Sequence, residues 1–247
     1  MKQLTERVND NDHISGNTDA PLELVEYGDY ECPHCGRAYP MVKDIQQQLG
    51  STIKLIFRNF PLSKIHPHAF SAAVAAEAAG LQGKFWEMHD ILFENQTVLD
   101  TENIFRFASM LGLDVERFKN DIQQNHWVEK VEKDFESGLK SGVNGTPTFF
   151  VNGKRFDGEW TNGKLLDYLK SILANGLKIL AMHNDNGQTF IEQLRCQIKE
   201  EEHKYRNALN SNKEFWELKL IKNNIQKLQT ALEQIMNNLR NFMPNKA

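Results

Sequence analysis

The chain of 247 residues has few cysteines, little net charge and no long apolar run. Three cysteines are too few for a disulfide scaffold, and a formal net charge of -4 gives no electrostatic reason to expect nucleic acid as a partner. No apolar run approaches the roughly 20 residues that a membrane-spanning helix needs, and residues 1–17 lack the apolar core of a signal peptide. We therefore expect a cytoplasmic protein without a membrane span; a chain trimmed before its first residue would fit the periplasm instead.

The order of apolar patterns predicts an α/β fold. Leu22–Tyr27 (LELVEY) and Thr52–Phe60 (TIKLIFRNF) are typical of strands, and a helical pattern that begins at Pro33 lies between them. From about His66 to Ser141 the pattern predicts helices only. Strand residues return on both sides of Asn152–Gly153, a dipeptide that favours a two-residue hairpin turn. This order indicates a mixed α/β layer with an all-helical insertion.

Shifts in composition divide the chain into successive segments. A last core helix is predicted at about Asn162–Ala174, and Asn175–Gly176 is expected to end it. The predicted segments are an irregular lead-in at 1–20, the α/β domain at 21–65 and 142–176, the helical insertion at 66–141, a linker at 177–187 and a C-terminal helical extension at 188–247.

The C-terminal extension follows a polar break at His183–Gln188 and is divided into two predicted helices at Asn210–Asn212. Apolar residues in the second helix recur three and four positions apart, which favours left-handed coiled packing over roughly 40 Å. The residues of this seam are Leu218, Ile221, Ile225, Leu228, Leu232, Ile235, Leu239 and Phe242. Because so long a stripe must be covered, we expect a helical hairpin, a homodimer through 188–247, or both.

Cys32 and Cys35 stand three positions apart in the stretch GDYECPHCGRAYP, and three roles are open to them. A zinc site needs four ligands, but the remaining cysteine, Cys196, is distant, and His66 and His68 flank a proline in what is expected to be the start of a helix. A structural disulfide is disfavoured because the cytoplasmic thiol pool keeps such pairs reduced. A redox-active pair is the favoured interpretation.

The predicted local structure favours a thiolate at Cys32. This residue precedes a helix whose first position is Pro33, where a missing N–H has no cost. Unpaired N–H groups and the positive end of the helix dipole stabilise a thiolate more than a thiol. His34 adds a donor or a positive charge beside the same sulfur. We expect Cys32 to be the outward nucleophile and Cys35, one turn away, to resolve a mixed disulfide.

A strand followed by CPHC at the start of a helix resembles the thioredoxin superfamily, and Pro33–His34 together with the helical insertion resembles the DsbA-like thiol–disulfide oxidoreductases. The stretch GTPTFFVNGKRFDG resembles their cis-proline loop and hairpin. This resemblance covers roughly Ala20–Ala174. It implies a cis bond at Thr146–Pro147 and contact of the Thr146 backbone with substrate. It also implies that Glu26 lies beneath the cysteines, where it serves as a proton acceptor or tunes the pair. The alternative for Glu26 is a solvated carboxylate at a strand end.

The resemblance implies an enzyme that exchanges disulfides with protein or small thiol substrates without a cofactor or a metal. Glutathione or a dedicated redox partner would recycle the pair. A pair as oxidising as DsbA, at about -120 mV, would rest reduced against a cytosolic glutathione poise of about -250 mV. The alternative is a non-enzymatic interaction protein that uses the helical extension on a thioredoxin-like scaffold. Retention of Cys32, Cys35 and His34 weighs against that alternative.

Four other residues receive structural interpretations. His89, beside Asp90, is expected to be a partly buried helix residue. Phe149 and Phe150 are assigned to a buried strand, and Cys196 is expected to be an isolated reduced thiol.

Overall fold

The computed structural model describes residues 2–181, 190–211 and 213–242. The chain divides into two compact units, Met1–Leu169 and Lys170–Ala247. The strands are β1 (His13–Gly16), β2 (Leu22–Gly28), β3 (Ile53–Asn59), β4 (Thr148–Val151) and β5 (Lys154–Arg155). The helices are α1 (Pro33–Leu49), α2 (Ala69–Gly80), α3 (Phe85–Glu94), α4 (Thr101–Met110), α5 (Val115–Ile122), α6 (Asn125–Lys140), α7 (Lys164–Ala181), α8 (Phe190–Asn210) and α9 (Phe215–Phe242).

β2 lies at the centre of a five-stranded sheet of order β1-β3-β2-β4-β5. It runs parallel to β3 and antiparallel to β4, with Gly28 opposite Asn59 and Tyr27 opposite Thr148. The carboxyl ends of β2 and β3 therefore meet the amino end of β4 at one edge of the sheet. Residues that follow β2 and residues that precede β4 come together at this edge, although they are distant in sequence.

The helical insertion, α2 to α6, has an apolar core that is continuous with the end of β2. Tyr30 and Cys35 belong to the same buried cluster as the core residues of the insertion. The alanine-rich helix α2 packs against α3, α4, α5 and α6, because its small side chains allow close approach on every side. The large members of this cluster from the insertion include Met88, Leu92, Ile104, Phe107 and Phe118.

Buried charges also join the insertion to the sheet. Asn59, at the end of β3, donates from Nδ2 to Glu77 of α2 at 2.7 Å and to Asp134 of α6 at 3.4 Å. Lys130 lies 2.7 Å from Asp134 and 3.7 Å from Glu77. His13 of β1 binds the other oxygen of Glu77 at 2.8 Å. Burial raises the pKa of Asp134 to about 6, against the opposing charge of Lys130.

The prediction that residues 1–20 are irregular is wrong in part, because His13–Gly16 form β1 and pair with β3. A four-residue strand with one neighbour is too short to show a two-residue period. The lead-in is also attached to the hairpin, since Leu4 donates its N–H to the carbonyl of Gly153 at 2.8 Å.

The predicted hairpin turn is confirmed. Asn152 and Gly153 have φ values of 48° and 76°, the left-handed conformation that a two-residue turn of this kind needs at both positions. Asn152 also accepts a hydrogen bond from the N–H of Glu23 at 2.8 Å, which ties the turn to β2.

The predicted end of the last core helix is wrong. α7 continues through Asn175–Gly176 to Ala181, so residues 177–181 of the predicted linker are helical. A glycine inside a helix costs only about 1 kcal/mol, and good helix formers surround this one. Residues 182–187 lie outside the described part of the chain.

In the second unit, α8 and α9 pack against each other. Leu194, Ile198 and Ala208 of α8 are buried. The described seam positions of α9, from Leu218 to Ile235, are half-buried, whereas most of the residues between them are exposed. The side chains of Leu239 and Phe242 lie outside the described residues. The two helices thus cover part of the stripe, and the coiled geometry and the homodimer stay predictions.

Candidate active site

Cys32 lies at the edge of the sheet where β2, β3 and β4 meet. After Gly28 the chain turns, and the N–H of Cys32 donates to the carbonyl of Asp29 at 3.2 Å. Cys32 is the residue before α1 and Pro33 is the first residue of that helix. The N–H of Gly36 donates to the carbonyl of Cys32 at 3.0 Å and so makes the first helical hydrogen bond. The predicted placement of the pair at a helix start is what the structure shows.

Asp29 fixes this turn, and sequence reasoning missed it. Its carboxylate is buried and accepts three hydrogen bonds of 2.8 Å, from the N–H of Glu31, the N–H of Leu62 and Nδ1 of His66. The turn before Cys32 is thereby attached to the loop that follows β3. A single aspartate in a polar stretch carries no periodic signal that would have identified this role.

The two thiols are free and differ in exposure. Cys32 retains 4% of its surface and Cys35 none. The sulfur of Cys32 lies 3.5 Å from the carbonyl oxygen of Thr146, and the bond between Thr146 and Pro147 is cis. The N–H of Asp29 lies 3.5 Å from the sulfur of Cys35. Of the two cysteines, Cys32 is therefore the one that keeps some contact with solvent.

The surroundings lower the pKa of Cys32 to about 5 and raise that of Cys35 well above its ordinary range. The largest cause for Cys32 is a hydrogen bond from the thiol of Cys35, followed by Thr146 and the backbone N–H groups of Cys35 and His34, against the opposing effect of burial. For Cys35 the largest cause is burial, followed by its bond to Cys32 and the charge of Glu26. One sulfur is thus a thiolate at neutral pH while the other stays protonated.

His34 acts on Cys32 through its backbone. Its ring Nδ1 lies 2.8 Å from Nη2 of Arg37. Because a guanidinium only donates hydrogen bonds, Nδ1 is the acceptor in this pair. The backbone N–H of residue 34 donates to the sulfur of Cys32, and the side chain of His34 is exposed on α1. The predicted effect of the imidazole on this sulfur stays a prediction.

The hydroxyl of Thr146 is available to the thiolate. Oγ1 is buried and has no hydrogen-bond partner among the described residues. An unpaired buried hydroxyl costs roughly 1–3 kcal/mol, and a negative sulfur beside it supplies the missing acceptor. Thr146 accordingly contributes to the low pKa of Cys32.

Glu26 lies in the central strand β2, opposite Phe57 and Phe149, and is 3% exposed. The alternative of a solvated carboxylate at a strand end is therefore wrong. Burial and, as the smaller cause, the charge of Cys32 together raise the pKa of Glu26 to about 8. Glu26, Cys32 and Cys35 thus form one electrostatically coupled set.

The other residues singled out in the sequence occupy structural positions. His89 is buried and bonds Asp90 at 3.1 Å, Phe149 and Phe150 are buried in β4, and Cys196 is exposed on α8. Within residues 2–181, 190–211 and 213–242, no three His, Cys, Asp or Glu side chains are arranged to hold a metal ion.

A five-stranded sheet with a helical insertion and two thiols at the start of α1 defines the thioredoxin-like class of proteins. A family model described as Thioredoxin matches residues 8–171, and the chain belongs to this family. A thioredoxin-like oxidoreductase from Silicibacter pomeroyi DSS-3 superposes with a TM-score of 0.60 at 27% identity, over 66% of this chain and 93% of that one.

Two further solved structures show the shared fold. BdbD from Bacillus subtilis, in its oxidised form, has a TM-score of 0.59 at 24% identity over 65% of this chain and 92% of its own. The thiol-disulfide exchange protein alpha-DsbA2 from Wolbachia pipientis has a TM-score of 0.60 at 22% identity over 66% of this chain and 88% of its own.

Relatives with a higher sequence identity to the chain than these structures are named as antiporters. A protein of Mycobacterium sp. (strain KMS) named Na(+)/H(+) antiporter NhaA 1 is 43% identical over 162 residues, which are 65% of this chain and 26% of that protein. One of the same name from Salinispora arenicola is 43% identical over 151 residues, 23% of its length. The chain thus matches about a quarter of these relatives. In the part of the chain that the structure describes, no helix has the length and apolar character to cross a membrane.

Proposed function

We propose that the protein is a thiol–disulfide oxidoreductase of DsbA-like specificity that exchanges disulfides with protein or small thiol substrates. The observation that carries the proposal is the unequal pair of thiols. Cys32 has a pKa of about 5 and residual exposure, and the buried Cys35 has a raised pKa. Thiol–disulfide exchange needs this combination, because the thiolate is the attacking species and a protonated partner does not compete with it.

In the reducing direction, the thiolate of Cys32 attacks one sulfur of a substrate disulfide. A mixed disulfide forms and the other substrate sulfur leaves as a thiolate. Cys35 then loses its proton and attacks the sulfur of Cys32, which releases the second substrate sulfur and forms the Cys32–Cys35 disulfide. Two electrons pass from the pair to the substrate. The oxidising direction is the reverse of these steps.

Glu26 is the proposed acceptor of the Cys35 proton. In the mixed disulfide Cys32 carries no charge, so one of the two causes of the raised pKa of Glu26 is absent. Its carboxyl is then more readily ionised than in the dithiol form and can take up the proton that Cys35 must lose. The coupling of Glu26 to both sulfurs supports this role.

The substrate is proposed to contact Thr146 and Pro147. The carbonyl of Thr146 faces the sulfur of Cys32 at 3.5 Å, so a chain bonded to that sulfur would run past this backbone. In a cytoplasmic glutathione pool, where we place the protein, the pair would rest as a dithiol. Its spontaneous activity would then be reduction or reshuffling of substrate disulfides.

The test is the equilibrium of the pair with glutathione, with Cys196→Ser as the parent protein so that one pair is measured. We expect a reversible two-electron couple and exchange with a peptide disulfide, and we expect Cys32→Ser to abolish that exchange. Cys196→Ser alone is the control and should match the unmodified chain. Full exchange activity in Cys32→Ser, or the absence of a reversible couple, would overturn the proposal.

A further inference from the structure

Gln96 of the helical insertion reaches the backbone of the redox site. It lies in the turn between α3 and α4, and its Nε2 donates to the carbonyl of Tyr30 at 2.7 Å and to that of Cys32 at 3.0 Å. A carboxamide nitrogen has two N–H groups, so both are used. The carbonyl of Cys32 also accepts the first helical bond of α1, from Gly36. Both lone pairs of this carbonyl are therefore engaged.

Gly36 provides the space for this side chain. A Cβ atom at position 36 would lie 1.9 Å from Oε1 of Gln96 and 2.7 Å from its Cδ. The carboxamide therefore lies directly against the first turn of α1. A larger residue at 36 and the carboxamide of Gln96 cannot occupy this space together.

The insertion also holds the side chain of Tyr30. The ring of Tyr30 lies 4.9 Å from that of Phe93, which belongs to α3, and 5.1 Å from that of Phe57 of β3. The turn that carries Gln96 follows α3 directly. The segment Tyr30–Cys32 is thus held by ring packing at one end and by the carboxamide along its backbone.

We propose that Gln96 is a positioning residue of the redox site, which holds the peptide group of Cys32 so that the N–H groups of residues 34 and 35 point at its sulfur and stabilise the thiolate. This inference rests on the proposed role of Cys32 as the nucleophile. The physical reason is that rotation of the Cys32 carbonyl would change the orientation of the residue that begins α1. The helical insertion thereby contributes directly to the reactivity of the thiol, in addition to enclosing it.

The primary test is Gln96→Met, which keeps the length of the side chain and removes both donors. The matched control is Gln82→Met. Gln82 makes two hydrogen bonds with the backbone of Asp114 elsewhere in the insertion, at 2.9 and 3.2 Å. The readout is the rate of Cys32 alkylation by iodoacetamide as a function of pH, with Cys196→Ser as the parent. This measurement does not depend on any exchange activity.

We expect the midpoint of the alkylation profile to move to higher pH in Gln96→Met. The thiolate-to-thiol ratio at pH 5 should be lower by roughly 2- to 13-fold, as loss of about 0.5–1.5 kcal/mol of hydrogen bonding implies. Gln82→Met should leave the midpoint unchanged. An unchanged midpoint in folded Gln96→Met would overturn the positioning role. A parent protein whose own midpoint is that of an ordinary thiol would instead contradict the proposed function.

A second pair of variants tests the same contact if Gln96→Met does not fold. Gly36→Ala should displace the carboxamide and move the midpoint upward as well. In a Gln96→Ala background the obstructing atoms are gone, so Gly36→Ala should cause no additional shift, and alanine is the better helix former. Equal shifts from Gly36→Ala in the two backgrounds would refute the contact.

Discussion

Lowering the pH through the pKa of Cys32 should remove a measurable part of the stability of the reduced protein. The pKa of this thiol is about 5 in the folded state against an ordinary 9.0. Because the folded value is the lower one, the thiolate stabilises the folded protein fully above pH 9 and loses this effect as the pH falls through 5. The two pKa values differ by about four units. Because pH 7 lies about two units above the folded value, about two of these units contribute to stability at this pH.

Two units correspond to about 2.7 kcal/mol. The site of Cys32 is in partial contact with solvent, so screening reduces the expected value to roughly half, or about 1.4 kcal/mol. Since the disulfide form has no thiolate, the same free energy favours the reduced pair over the oxidised one. It makes the pair about 30–60 mV more oxidising at pH 7 than the same pair with an ordinary thiol.

The assay is urea unfolding of the reduced protein at pH 7 and at pH 4. The informative comparison is Glu26→Gln with Glu26→Gln/Cys32→Ser, because the carboxyl of Glu26 is coupled to Cys32 and would otherwise titrate differently in the two proteins. The difference in unfolding free energy between these proteins should shrink by about 1.4–2.7 kcal/mol on acidification. Other titrating groups are common to both and cancel.

The alkylation rate of Cys32 provides an independent measure. The thiolate fraction should fall from about 99% at pH 7 to about 9% at pH 4, so that the reaction slows roughly tenfold. A stability difference that does not change with pH, together with an alkylation midpoint near pH 9, would show that the thiol is ordinary. The assignment of Cys32 as a stabilised thiolate would then be wrong.

Substitutions at three positions test neighbouring parts of the structure. Thr146→Val keeps the shape of the side chain and removes its hydroxyl, so we expect a higher alkylation midpoint for Cys32, whereas Thr146→Ser should preserve it. Glu26→Gln should slow disulfide exchange in peptide assays and increase stability at pH 8; an unchanged exchange rate or an unchanged or lower stability would contradict the argument. Lys130→Met should lower the free energy of unfolding in urea by about 3–5 kcal/mol. The loss should be larger at pH 8 than at pH 5, because Asp134, with a pKa of about 6, is protonated at the lower pH. An equal loss at both pH values would refute the role of its charge.

The redox pair and the order of the main elements could be predicted from the sequence because each has a local signal. CPHC combines two thiols with a helix start, and Asn152–Gly153 is a turn dipeptide. β1 could not be predicted, since a four-residue edge strand is specified by its partner β3. The continuation of α7 through Gly176 depends on the helix formers around it, which outweigh one glycine.

The contacts that position the site could not be predicted from the sequence either, and the reason is different. Asp29 and Gln96 act through hydrogen bonds to the backbone of residues that the fold brings near them, 64 positions apart in the case of Gln96 and Cys32. Any polar side chain of suitable length would satisfy the local pattern in these turns. Gly36 is similar, because a glycine in the first turn of a helix indicates nothing until the neighbouring carboxamide is known.

Glu26 shows how the chemistry of the site opposes its stability. Its pKa of about 8 lies above the ordinary 4.5, so stability present below pH 4.5 is lost as the pH rises toward 8, and at pH 7 the loss is about 3 kcal/mol. A glutamine at position 26 would avoid this loss.

The dithiol site at pH 7 holds one negative charge, on Cys32, and protons on Glu26 and Cys35. Oxidation removes the charge of Cys32 and the proton of Cys35, and the buried carboxyl is the group whose pKa changes in response. Its burial therefore lowers stability while coupling proton release to electron transfer.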